Sequence, residues 1–167
     1  MLKRFFKKHL PRTFLNNQET KTLSERVAVF EEKTGCELVF HFRRRLGTNP
    51  TEYNRKLFYK FKLDKTTGHR GILITLALVD RKFSVWADEG VAIHTGASGI
   101  GSKLWLSLCE VLSRDLKSLS HIQALLNAVE HAETMLKDLA PLDKKGQHKE
   151  FKNELSNSPI IEGEDEN

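Results

Sequence analysis

Two polar pairs, His69-Arg70 and Asp88-Glu89, bracket the apolar stretch from Gly71 to Ala87. If that stretch folds back on itself, it brings an imidazole, a guanidinium and two carboxylates to one open end. A turn at Asp80-Arg81 predicts Leu73 beside Asp88 and Ile72 beside Glu89, with His94 following in the next segment. Such a cluster offers Asp88 and Glu89 as catalytic carboxylates, Arg70 as an anion contact, and His69, Asp88, Glu89 and His94 as metal ligands. The plainer use of the same residues is an Arg70–Glu89 ion pair at a sheet edge, worth at most ~1 kcal/mol if exposed.

A second candidate lies downstream, in Gly96-Ala97-Ser98-Gly99-Ile100-Gly101-Ser102-Lys103. It approaches GxxxxGK[ST], but with Ser and Lys in swapped order, and TGxxxGxG, one residue short. Both motifs need a strand running straight into them, and here a hairpin strand ends several residues earlier. What survives is an anion contact at a helix N-terminus, through the backbone of Ser102 and Lys103. Arg43-Arg44-Arg45 at a strand end could meet phosphate, or form a solvated loop. His41 falls on the less apolar face of its strand, as a half-exposed residue. Cys36 and Cys109 sit within apolar patterns and read as reduced core thiols.

These residues need elements to hold them. Asn17 or Thr20 can cap a helix to Thr34, with Leu23, Val27 and Phe30 on one stripe and Gly35 as its stop. Cys36 to Phe42 alternates as a strand. Asn49-Pro50 opens a second helix whose buried face carries Tyr53, Leu57, Phe58 and Phe61. Ile72 to Val79 is apolar on both faces except at Thr75, so that strand has neighbours above and below. Lys82 to Asp88 is its return strand. Two helices follow, Ser102 to Leu116 and a second capped by Ser120 and running to Leu139, before Pro141. The order helix, strand, helix, strand, strand, helix, helix predicts an α/β fold: an αβα sandwich with a small mixed sheet covered by helices on both faces.

The chain has 167 residues, 39% hydrophobic and 29% charged, with a net charge of +5. That suits one ordinary domain. A basic arm occupies residues 1–14, the folded domain 15–141, and a polar acidic tail, expected to be flexible, 142–167. The longest apolar run is far short of the ~20 residues a bilayer needs. The basic start lacks the apolar core of a secretory signal, so a cytoplasmic location is expected. The arm, residues 1–12, gives weak peripheral contact with an anionic membrane as a further expectation. No basic stripe is interleaved with stacking aromatics, so nucleic acid is not the expected partner.

TGCELVFHF, then TEYNRKLFYKFKL, then GILITLALVDRKFSVWADEGV together resemble the TPM domain, over about Phe14 to Pro141. Thr34-Gly35-Cys36-Glu37, Gly71-Ile72-Leu73-Ile74, Asp80-Arg81-Lys82 and Glu89-Gly90-Val91 stand at that family's marked places, and Asn153-Glu154-Leu155 is similar to a signature of its short, soluble bacterial branch. The resemblance implies an αβα fold and relatives as varied as a plant thylakoid acid phosphatase, a photosystem repair factor and receptor-modulating membrane proteins. It also implies an acidic residue and Asn before the glycine of the central strand, and another acid after the return strand. This chain has His69 and Arg70 at the first place and His94 to Ser98 at the second. The resemblance therefore implies a divalent-metal phosphatase, while these departures predict a non-catalytic domain that binds a protein partner at or near the membrane.

Overall fold

The computed structural model describes residues 10–94, 103–137 and 153–162. Helix α1 (Asn17–Thr34) is capped by Asn16, whose Oδ1 accepts from the Glu19 N–H at 2.9 Å while the Glu19 carboxylate accepts from the Asn16 N–H at 2.8 Å. This reciprocal box displaces Asn17 and Thr20 as the expected caps, because only Asn16 has a glutamate three residues on. Gly35 ends the helix at φ +67° and donates to the Glu31 carbonyl.

Strand β1 (Glu37–Arg43) follows, then α2 (Pro50–Lys60), a 3-10 turn at Leu63–Lys65, and β2 (Gly71–Ala77). The hairpin return is β3 (Lys82–Ala87), leading directly into α3 (Glu89–His94). The remaining described elements are α4 (Lys103–Ser118), α5 (His121–Leu136), capped by Ser120, and β4 (Ile160–Ile161). The sheet order is β3-β2-β1-β4, with β1 parallel to β2 and β4, and β3 antiparallel to β2. It is the small mixed sheet expected.

Strand alternation sends Leu38, Phe40, Phe42, Ile72, Ile74, Leu76 and Val85 to one face, where α1, α4 and α5 pack through Val27, Phe30, Trp105, Leu108 and Val129. Val39 and Leu73 point the other way and meet Leu57, Phe58 and Leu63 from α2 and its turn. Helices thus cover both faces. On the α2 face His41, Asn54 and Thr75 are fully buried; Thr75 donates to Asn54 Oδ1 at 2.6 Å and His41 meets the Phe61 ring at 5.1 Å. His41 was expected half-exposed; α2 covers the face it lies on.

The hairpin register differs from expectation by two residues: Ile72 pairs with Ala87 and Leu73 with Trp86. The cause is a wider turn. Leu78 and Val79 donate to the Arg43 and Arg44 carbonyls at 2.9 and 3.0 Å, so the chain stays beside β1 before reversing. Asp80 then takes the Leu46 N–H and an Arg45 guanidinium, and Arg81 turns at φ 51°.

Part of the polar tail docks on the domain. Residues 153–162 return to the sheet, with Glu162 N–H donating to the Phe42 carbonyl at 2.9 Å and Leu155 and Ile160 packing on the α2 face.

Candidate functional site

Parallel strands β1 and β2 begin at one pole, and there the hairpin's end residues collect. Asp88 N–H donates to the Gly71 carbonyl at 2.9 Å and Gly90 N–H to the His69 carbonyl at 2.9 Å, which ties the start of α3 to the turn before β2. Gly90 is required for this approach, since a Cβ there would lie 2.1 Å from the Gly68 carbonyl and 2.5 Å from that of His69. His69 itself turns at φ 53°.

The result is a His69 Nδ1 3.3 Å from Asp88 Oδ2, with His69 58% and Asp88 15% exposed. Asp88 Oδ1 accepts from the Glu89 N–H at 2.9 Å, opening α3. Glu89 is exposed, and Asp88, not Glu89, faces the imidazole. Arg70 does not form the expected pair with Glu89. Its backbone bonds Thr66 and Glu37, and its guanidinium lies over Gly35 and Gly68, close enough that a Cβ would meet it at 3.1 and 3.2 Å. His94 closes α3 and Lys103 opens α4, but their side chains, and Ser102, lie outside the described residues.

The donor set can be tested against the metal that the resemblance implies. Calcium and magnesium want about six or more oxygen ligands, several from carboxylates. Here Asp88 has one oxygen engaged by its own turn and the other facing an imidazole, and no group of three His, Cys, Asp or Glu comes together among the described residues. With Arg70 adding a positive charge, these residues do not fit such an ion.

Beside this pole lies a pair that periodicity alone did not reveal. Glu31 and Glu37 are 1% and 2% exposed. Burial, with Glu37 adjacent, pushes the Glu31 carboxyl up to about 8. Burial raises Glu37 too, opposed by the backbone N–H groups of Glu154 and Leu155. Glu31 Oε1 accepts from the Leu38 N–H at 2.9 Å, its other oxygen from the Asn157 amide, and Glu37 Oε1 from the Glu154 N–H at 2.6 Å. The two carboxyls are a clasp for residues 154–157. The available signal was Glu31 on the Leu23-Val27-Phe30 stripe, a charge where the core is due.

At the opposite pole two of the three arginines are engaged internally. Arg43 reaches Tyr53 and Glu162, the latter at 3.0 Å, and Arg45 reaches Asp80 at 2.9 Å. Cys36 is buried, its thiol pushed up to about 11, chiefly by burial; Cys109 is half-buried and raised for the same reason. Neither is poised as a thiolate. Ser107 Oγ and His131 Nε2 meet at 3.0 Å between α4 and α5, a pair the sequence did not suggest. Among the described residues no carboxylate bonds that histidine, so nothing orients it as a base.

Residues 11–99 match the family model described as TPM domain. The NMR structure of BA42 protein from the psychrophilic bacterium Bizionia argentinensis shares the fold, with a TM-score of 0.74, 22% identity, and coverage of 89% of this chain and 95% of that one. No curated protein matches the sequence.

Proposed function

This chain belongs to the TPM domain family, and on that premise we propose that it is a non-catalytic member, an interaction domain that acts in the cytoplasm on a protein partner concerned with membrane-protein maintenance. The observation that carries the reading is the hairpin's open end. His69 and Arg70 stand before Gly71, and the one carboxylate that turns inward, Asp88, is paired with His69. A guanidinium and an imidazole beside Asp88 favour neither a hard metal nor an in-line water attack on phosphate. No helix among the described residues is long and apolar enough to cross a membrane. Any membrane contact would fall to the basic residues 1–12, and vesicle co-sedimentation unaltered by their deletion would discard it.

The second reading, a metal-dependent phosphatase with Asp88 and Glu89 at its centre, draws on His69, an exposed imidazole held by a carboxylate. Hydrolysis of p-nitrophenyl phosphate separates the two. With calcium, magnesium, manganese or zinc, the expected rate equals that of the Asp88→Asn variant and of buffer. Turnover that Asp88→Asn abolishes would replace the interaction reading with the enzymatic one.

A further inference from the structure

We propose that the outer edge of β3, together with the groove between Phe83 and α4, binds an extended acidic segment of a partner protein, which joins the sheet as a strand beside β3. This rests on the interaction-domain reading above and gives it a surface and a partner chemistry.

The two sheet edges are unequal. β4 and the clasped residues 154–157 cover β1, whereas among the described residues β3 pairs with β2 alone. Its outward N–H and C=O groups are a template for another strand. Such an edge in a small domain needs side-chain pockets beside it to select what pairs there. One is present: an open groove of about 740 Å³ lies between Phe83 of β3 and the outer face of α4. Its floor is apolar, made by Phe83, Cys109 and Leu106, the last 53% exposed although large and aliphatic. The Cys109 thiol, raised by burial, contributes packing rather than reactivity.

The rim sets the sign of the occupant. Arg114 and Lys117 line the groove, and Arg81 and Lys82 stand exposed at the start of the strand, against a single Glu110. Arg114 is partly matched by Asp115 at 2.7 Å, which leaves the rim basic. Exposed cations at the Lys82 end of this edge favour an acidic strand. Alternate residues of that strand would face the groove, so apolar side chains at every second position fill it while flanking acids meet Arg114, Lys117 and Lys82.

The test is selection of random displayed peptides of about twelve residues on the intact protein, a length that spans a strand and its flanks. Enriched peptides are expected to be acidic, with apolar residues at alternate positions. Synthesised and titrated by fluorescence anisotropy, they should lose about tenfold or more in affinity to Leu106→Asp and to Lys117→Glu, both exposed positions where the fold survives. Methylating every second backbone nitrogen of the peptide, on its pairing edge, should abolish binding with all side chains retained. Absence of enriched peptides, enrichment of neutral or basic ones, or indifference to the substitutions or to methylation would overturn the proposal. A dimer at micromolar concentration that Leu106→Asp dissolves would hand the groove to a second copy and overturn it equally. The phosphate assay reads the opposite pole. A failed selection without turnover thus refutes the groove alone, while turnover with successful selection refutes only the non-catalytic reading.

Discussion

A buried carboxyl pair makes stability depend on pH in a direction opposite to the common acid-denaturation case. Glu31 has its folded value raised from 4.5 to about 8, by burial first. Below the ordinary carboxyl range the proton is on in both states, and the pair's full contribution is present. Between that range and about 8 the unfolded chain has released the proton while the folded one keeps it, so stability falls with every pH step. Glu37, also raised chiefly by burial, adds a loss of the same sign, with the Glu154 charge nearby raising it further. Wild type is expected to lose about 2–4 kcal/mol between mildly acidic and mildly alkaline pH. Glu31→Gln retains a neutral group whose oxygen accepts from Leu38, and has no proton to lose. Urea unfolding at a series of pH values should show a falling free energy for wild type and a much flatter one for the variant. A flat wild-type profile would mean that the pair is hydrated and titrates normally.

Between elements, the contact that sets the pole is the approach of α3 to the Gly68-His69 turn. Gly90→Ala places a methyl on two backbone carbonyls, which cannot swing away as a side-chain end can. The expected cost is about 3 kcal/mol in urea unfolding. An unchanged midpoint would mean that α3 is not packed there. Much of this level was legible beforehand: apolar stripes and stop residues marked α1, α2, α4 and α5, and the unbroken run from Ile72 marked a central strand. The register was not, because it depends on Leu78 and Val79 pairing with β1 and on Asp80 being held by Arg45 and Leu46, contacts between segments far apart in sequence. For the same reason His69 and Asp88 could be assigned to one end from the bracket they form, while the carboxyl clasp could not. Glu31 stands out on the buried stripe, but Asn157, which bonds it, lies 126 residues on.

At the scale of the molecule, the folded unit closes on itself near residue 162, beyond the polar stretch that first suggested an end. Ile160 and Ile161 pair with His41 and Phe42, Glu162 joins Arg43 and the Arg44 N–H, and Leu155 caps the α2-side core. Removing residues 142–167 would therefore strip β1 of its edge partner and leave Glu37 without the Glu154 N–H and Glu31 without Asn157. An opened, apolar edge strand invites pairing with other chains, and each buried acceptor left bare costs about 1–3 kcal/mol. The shortened protein is expected to unfold at least about 3 kcal/mol more easily and to self-associate on size exclusion. Supplying residues 153–162 as a separate peptide should raise its midpoint, and the same peptide with Asn157→Ala and Ile160→Asp should not. A shortened chain as stable and monomeric as the whole would show that the returning segment adds nothing to the fold, and that β1, like β3, is an edge the domain can leave open.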